Sequence, residues 1–339
     1  MPVNVAIVGP AGSGKSTLFN ALTSGRGADG VGMVDVPDER LDRLAEAVKP
    51  LKKTAAQVRV EDTPPGSRAQ RVAFARQADV LVKLARCFGP DPDPVAELEE
   101  FALDLVLADL ASVEKRLEIV AKEARAGKKD AQAESEVLSA AKAHLDAGQQ
   151  LRTLALEADQ RTLLLSIFPV TLKPAVYVAN AAEELLPGGG EPAAKVHRHA
   201  SAEGAPAITL SARLEAELAE LDPAEQAEMR AGYGIDESGL GRIARAVWVA
   251  GGLITYFTAG EPEVRAWPCE ADSPAPIAAS KIHTDFEKHF IRAEVTSVDE
   301  LVSAGSMDAL RAAGKLRIEG REYRVKDGDV IFFRIGRTN

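Results

Sequence analysis

The sequence predicts an α/β fold on a mostly parallel sheet, interrupted by a helical hairpin and followed by a smaller α+β domain. Three observations predict it. Apolar strands alternate with helical stretches, the first strand opening into a glycine-rich turn. Between residues 95 and 165 apolar residues recur at helical spacing, and after Gly251-Gly252 the pattern changes to short strands.

Val3 to Val8 reads as a buried strand, residues 9–14 as a glycine-rich turn, and Lys15 onward as a helix with Leu18, Phe19 and Leu22 on its apolar face. Val58-Arg59-Val60, Val80 to Leu84, Ala175 to Ala179 and Ala207 to Leu210 read as further strands of the same sheet. Apolar strands joined through helices imply a parallel sheet covered on both faces. Leu98, Phe101, Leu105, Leu107, Leu110, Val113, Leu117 and Val120 form one helical stripe. Ala126-Gly127-Lys128-Lys129-Asp130 breaks it, and Val137, Leu138, Leu145, Leu151, Leu154 and Leu156 form a second, the pattern of an antiparallel hairpin. Leu186-Pro-Gly-Gly-Gly-Glu-Pro192 reads as a flexible surface loop. In the last part, Leu253 to Thr258, Glu263 to Trp267, Phe290 to Val295, Lys315 to Ile318, Glu322 to Val325 and Val330 to Arg334 are strand candidates, with Asp327-Gly328-Asp329 as a turn.

A chain of 339 residues suits two or three domains. It has no apolar run long enough to span a membrane, and Met1-Pro2-Val3-Asn4 enters a strand with no signal-peptide pattern. Cys87 and Cys269 are the only cysteines and stand in no metal or redox spacing, so a cytoplasmic setting is expected. The net charge of −10 argues against broad nonspecific DNA binding. From residue 311 to the end, eight basic residues (Arg311, Lys315, Arg317, Arg321, Arg324, Lys326, Arg334, Arg337) outnumber four acidic ones. That excess suits RNA, an acidic partner or simply a solvated face.

Gly9-Pro10-Ala11-Gly12-Ser13-Gly14-Lys15-Ser16 fits G-x-x-x-x-G-K-[ST] in full, after a buried strand and at the start of a helix. Glycines let backbone N–H groups wrap phosphates, and the helix N-terminus adds partial positive charge. Lys15 is expected on the β- and γ-phosphates, the Ser16 hydroxyl on Mg²⁺, and Thr17 on the α-phosphate. Asp62, at the end of its strand, is expected to hold the shell of the metal. Kinases, transporters and GTPases share this loop, so it does not identify the reaction.

A second clue is Asn180-Ala181-Ala182-Glu183 at the end of a strand, where guanine-specific proteins carry Asn-Lys-x-Asp. Glu183 is one methylene longer than that Asp and Ala181 replaces the Lys, which disfavours guanine. The Asn180 amide can still bond the N7/N6 edge of adenine. A strand-ending Asn is equally an ordinary helix cap.

With these, the chain resembles the YchF family, an Obg-related branch of translation-factor GTPases whose members commonly prefer ATP. The resemblance is carried by Lys15 to Thr23, Val36-Pro37-Asp38-Glu39-Arg40-Leu41, Arg86-Cys87-Phe88, Leu107-Ala108-Asp109-Leu110, Tyr177-Val178-Ala179-Asn180, Ser211-Ala212, Leu253 to Thr258, Glu263 to Trp267, Ile282-His283-Thr284-Asp285-Phe286, Phe290 to Val295 and Asp327-Gly328-Asp329-Val330. It implies a P-loop NTPase G-domain at 1–94 and 166–252, a hairpin at 95–165 and a TGS domain at 253–339. It implies ATP or GTP as ligand with Mg²⁺, a ribosome or RNA partner through the TGS domain and hairpin, and Ser211-Ala212 as the loop supporting the base. Ser211 is also the natural N-cap of the next helix.

Three departures fall on the catalytic machinery. The family's threonine-bearing segment before Val-Pro-Asp-Glu-Arg is replaced by residues 24–32, which contain Arg26 and no threonine. The family's Asp-x-Ala-Gly is replaced by Asp62-Thr63-Pro64-Pro65-Gly66, with the glycine one residue late. The histidine expected after Arg-Cys-Phe is absent from residues 89–94. His197 and His199 in a surface loop, His283 and His289 in the C-terminal domain, and His144 on a solvated hairpin face are poor substitutes. The catalytic residue is therefore unassigned. Slow hydrolysis of a purine nucleotide is the leading expectation; a non-catalytic ribosome- or RNA-binding module is the alternative, and a metabolite kinase a third.

Overall fold

The computed structural model describes residues 3–64, 66–125 and 127–336. Met1-Pro2, Pro65 in the Asp62–Gly66 turn, Ala126 in the hairpin break and Arg337 of the basic run lie outside them. Contacts divide the chain into one unit holding Val3–Met33 and Arg59–Val247 and another holding Val34–Val58 and the residues from Trp248 on.

In chain order the elements begin with β1 (Asn4–Val8), α1 (Lys15–Leu22), β2 (Val31–Val36), α2 (Glu39–Val48), β3 (Lys53–Thr54), β4 (Ala56–Asp62), α3 (Arg68–Gln77) and β5 (Val80–Cys87). Next come the hairpin helices α4 (Pro94–Arg125) and α5 (Lys129–Asp146), then α6 (Ala158–Leu165), β6 (Ala175–Ala181), α7 (Gly190–Ala202), β7 (Ala207–Leu210), α8 (Ala212–Leu218), α9 (Pro223–Gly232) and α10 (Gly239–Ala250). The C-terminal part adds β8 (Leu253–Ala259), β9 (Val264–Glu270), α11 (Ala275–Ile282), α12 (Phe286–His289), β10 (Phe290–Ser297), α13 (Val298–Ala304), α14 (Met307–Ala312), β11 (Arg317–Glu319) and β12 (Asp329–Ile335).

The first sheet has the order β2-β4-β1-β5-β6-β7. β1 pairs in parallel with β4 and β5, β5 with β6, and β6 with β7. Val5, Ile7, Val8, Leu81, Val82 and Leu84 are almost wholly buried, as strands covered on both faces must be. Each such side chain contributes about 1.5–3 kcal/mol of burial, which holds β1 and β5 rigid beneath the glycine turn.

The hairpin forms, but its second stripe is split: Val137, Leu138 and Leu145 lie on α5, which ends at Asp146, while Leu151, Leu154 and Leu156 follow outside that helix. Val113, Val120, Leu138 and Leu145 pack in one cluster between α4 and α5, and Arg116 clamps Glu134 through two hydrogen bonds of 2.6 and 2.8 Å. Leu107 departs from its stripe and is exposed. The hairpin is anchored by buried Asp109, which accepts hydrogen bonds from Val170 N (3.0 Å), Thr171 N (2.7 Å) and the Thr171 hydroxyl (2.7 Å).

The other unit has a sheet of order β11-β10-β12-β8-β9-β3. Its edge strand β3 pairs in parallel with β9 and comes from residues 53–54, which the sequence reading keeps within 1–94. Helix α2 packs on β8, β9 and α13. Asp38 caps it and grips Arg40, whose guanidinium also donates to Asp327 (2.6 Å) and lies 5.3 Å from the Phe257 ring centroid.

Two local expectations change. Glu322 to Val325 is not a strand: Val325 N donates to Ser273 O, Lys326 N and the Tyr323 hydroxyl donate to the Asp329 carboxylate, and only Arg324 makes an isolated bridge, to Pro274. Residues 186–192 are not wholly a loop, because α7 begins at Gly190 and Gly189 is buried. A Cβ on Gly189 would stand 2.6 Å from Ala193 Cβ and Thr209 Cγ2, so glycine is what allows that entry. Among the described residues no helix is long and apolar enough to cross a membrane.

Candidate nucleotide-binding site

The turn between β1 and α1 is shaped by two glycines. Gly9 has φ 149°, and a Cβ there would lie 2.4 Å from the Leu84 carbonyl oxygen of β5. Gly14 caps α1 in the left-handed conformation (φ 94°), where a Cβ would lie 2.5 Å from Asn180 Nδ2. No side chain caps the first turn of α1, so its leading N–H groups have no intrahelical acceptor and point out of the helix. Such a terminus is an anion site.

Lys15 folds back on this turn, donating to Gly9 O (3.1 Å) and Pro10 O (2.7 Å). Its burial lowers the ammonium pKa; Asp62 opposes that and the charge of Arg71 adds to it. Ser13 is buried and donates to Pro10 O at 3.0 Å, while Ala11, Gly12, Ser16 and Thr17 are exposed.

The Ser16 hydroxyl donates to Asp62 Oδ2 at 2.6 Å. Asp62 Oδ1 is buried and has no hydrogen-bond partner among the described residues. A hydroxyl beside a carboxylate with an open acceptor is an oxygen donor set suited to a hard divalent cation that takes its other ligands from water and phosphate. Among the described residues no group of three or more His, Cys, Asp or Glu able to hold a metal occurs.

On either side of Pro65 the chain is tied at Thr63 and at Ser67. Buried Thr63 donates its hydroxyl to Ile7 O, and Ser67 with Gln70 forms a capping box that starts α3. Nothing in the sequence singled out Thr63 for this clamp. Arg26 is exposed, and residues 89–94 carry positive φ at Gly89 and Asp91.

Asn180 proves to be a tie inside the protein. Its Nδ2 donates to Ser13 O (2.8 Å) and its Oδ1 accepts from Ala212 N (2.8 Å), joining the glycine turn, β6 and the start of α8. One Nδ2 hydrogen remains for a base. Ser211 caps α8 by accepting from Leu214 N (3.3 Å). Glu183 stands apart from this tie, with Oε1 3.4 Å from Arg213 Nε.

The histidines sit differently from expectation. His197 and His199 are on α7, His197 2.9 Å from the Thr209 hydroxyl and His199 3.5 Å from Glu203 Oε1. His144 closes the end of α5 on Gln150 O (3.2 Å) and the Thr153 hydroxyl (2.8 Å) instead of facing only solvent. A groove of about 880 Å³ between α3 and α4 takes none of its lining from residues 9–17.

Residues 4–138 match the family model MMR_HSR1, described as a 50S ribosome-binding GTPase, and residues 253–336 match YchF-GTPase_C, described as a protein of unknown function (DUF933). The chain is 38% identical to the ribosome-binding ATPase YchF of Bacillus subtilis over 364 aligned positions, covering 98% of this chain and 99% of that one. It is 37% identical to the protein of the same name from Escherichia coli O157:H7, with 98% and 99% covered. The YchF GTPase of Schizosaccharomyces pombe superposes with a TM-score of 0.89 at 27% identity, covering 98% of this chain and 97% of that one. A P-loop at the head of a parallel sheet, an inserted hairpin and full-length similarity of this strength place the chain in the YchF family.

Proposed function

We propose that this protein binds a purine nucleoside triphosphate with Mg²⁺ at residues 9–17, with ATP preferred or both purines accepted, and hydrolyses it slowly at most. The observation that carries the reading is the Ser16–Asp62 pair with its open Oδ1, set beside an uncapped helix N-terminus. Ser16 and Asp62 would hold the metal, which when bound neutralises phosphate charge. Lys15 would leave Gly9 O and Pro10 O for phosphate oxygens, and the N–H groups of Gly12 to Thr17 would wrap them.

The remaining Asn180 hydrogen would meet purine N7, with Ser211 and Ala212 backing the base. Ala181 supplies no stem to cover it, and Glu183 faces Arg213, which is the basis for expecting weak guanine selection. Slow turnover follows from the missing threonine in residues 24–32 and the missing histidine in residues 89–94, since phosphoryl transfer is mostly positioning and charge stabilisation. By analogy with the ribosome-binding relatives, the same reading includes cytoplasmic association with ribosomes or RNA. The proposed contact regions are the hairpin (95–165) and a TGS domain (253–339), beside a nucleotide domain at 1–94 and 166–252.

Titrating nucleotide-free protein with fluorescent ATP and GTP analogues plus Mg²⁺, then following single-turnover hydrolysis, tests this. Tight ATP binding with slow turnover is expected; no binding of either purine would refute it. A non-catalytic ribosome-binding module is favoured instead by the shortened switch segments, and ribosome binding unaffected by nucleotide would select it.

A further inference from the structure

The groove of about 880 Å³ between α3 and α4 is floored by small and apolar side chains. Ala69, Val72 and Ala73 of α3 and Leu107, Ala108 and Ala111 of α4 line it, each set on one face of its helix at helical spacing. Alanines at these positions leave the space open. The two helices are braced beside it: Arg68 Nε lies 3.1 Å from Asp104 Oδ1, and Arg76 donates to Ala108 O (3.1 Å) and to the Ser112 hydroxyl (2.7 Å). The groove is therefore a built feature of the fold.

Its charge is one-sided. The lining carries Arg68, Arg76 and Lys115 and no Asp or Glu. Asp104 is shared between Arg68 and Arg71, the latter 3.3 Å away, and Arg76 lies 3.7 Å from buried Asp109. Lys115 is exposed and makes no ion pair among the described residues; its neighbour Glu114 stands 3.0 Å from Lys142 of α5 instead. Four cations thus meet two carboxylates, in a chain whose net charge is −10. The apolar surface is also open: Leu107 is 41% exposed, and Phe168, which completes the lining, is 71% exposed. Phe168 holds φ at 51°, a costly conformation for a bulky residue. Apolar surface with a charged rim marks an interaction site.

We propose that the α3–α4 groove docks an acidic amphipathic helix of a partner protein. Apolar side chains of that helix fill the alanine floor beside Leu107 and Phe168, and its carboxylates meet Lys115, Arg68 and Arg76 at the rim. The stretch from Leu107 to Lys115 spans about 12 Å of helix, which seats about two turns of a partner. Charge complementarity selects this occupant, since an apolar helix with basic flanks would add to the local surplus of cations. A nucleic acid matches the rim and leaves the alanine floor unfilled. The proposal does not depend on what residues 9–17 bind.

The test selects a displayed library of short helical peptides on the full chain, with leucine or phenylalanine along one face and Glu, Lys or Ser flanking it. Enriched peptides are then titrated by fluorescence anisotropy, beside a single-stranded RNA of mixed sequence. Enrichment of the Glu-flanked peptides is expected. Ala111→Trp, which fills the floor from an exposed position, is expected to weaken their binding about 10-fold or more. Lys115→Glu is expected to weaken it about 5-fold, and more at low salt than at high. Thermal unfolding shows whether each variant is folded, and should Ala111→Trp fail to fold, the surface variant Lys115→Glu decides alone. No enrichment, enrichment of Lys- or Ser-flanked peptides, or affinity unchanged in the folded variants overturns the proposal. RNA binding that these variants weaken, with no peptide selected, replaces it with a nucleic-acid surface. A dimer seen by light scattering and lost in the variants replaces it with a second copy of this chain.

Discussion

Asp62 at the end of β4 and Glu294 in β10 are both carboxylates carried by strands, and they differ in what their surroundings leave open. Asp62 uses Oδ2 for the Ser16 hydroxyl and keeps a buried Oδ1 with no partner among the described residues. Glu294 keeps nothing open: Oε1 accepts from Arg334 Nε (2.8 Å), and Oε2 accepts from Arg311 Nη2 (2.8 Å) and Arg334 Nη2 (3.3 Å). Those arginines, Arg334 first, outweigh burial and hold the Glu294 pKa at about 2. Buried acceptors are rarely left unmatched, so an open one beside a helix N-terminus points to a ligand, and a fully matched one to architecture. The contrast separates a site from a structural hub where residue type alone does not.

The largest effect that would break or sharpen this comparison is expected at the open side. Lys15→Ala should reduce nucleotide affinity about 100-fold or more, because charge-assisted bonds to phosphate are lost at a partly buried position. Fluorescence titration would show it, and unaltered affinity would mean that the open acceptors serve something other than phosphate.

Next in size, Asp62→Asn should weaken the Mg²⁺ dependence of triphosphate binding by about 10-fold while leaving metal-free binding nearly as it was. Titration with and without Mg²⁺ reads this directly. Equal losses in both conditions would make Asp62 a strut like Glu294.

The smallest effect belongs to the matched side. Glu294 has a folded pKa below its ordinary value of 4.5, so its ionised form contributes stability that is full above about pH 4.5 and is lost as pH falls toward 2. Arg334→Met should cost about 1–2 kcal/mol at neutral pH, allowing for the exposure of the arginine, and should raise the pH midpoint of acid unfolding. A midpoint that does not move would show that Arg311 alone suffices. Nucleotide binding should be untouched.

Legibility in the sequence followed distance along the chain. The glycine turn, β1 and α1 are contiguous, so their spacing foretold the loop, and the hairpin stripes foretold α4 and α5. Asn180 was picked out, but its partners Ser13 and Ala212 lie 167 and 32 residues away, and only folding shows that its Oδ1 is already taken. The strand reading of Glu322 to Val325 failed for a similar reason: Ser273 O and the Asp329 carboxylate take the donors that a ladder would have used.

By itself the sequence determined the apolar strands of the first sheet, the hairpin, the glycine-rich loop motif and the family, because these rest on periodicity, on glycine's freedom at positive φ and on contiguous motifs. Only the tertiary structure decided that residues 53–54 extend the C-terminal sheet, that Asn180 ties Ser13 to Ala212 and that Asp62 keeps an open oxygen. Those outcomes depend on which donors and acceptors meet across long separations, a competition that no local pattern encodes.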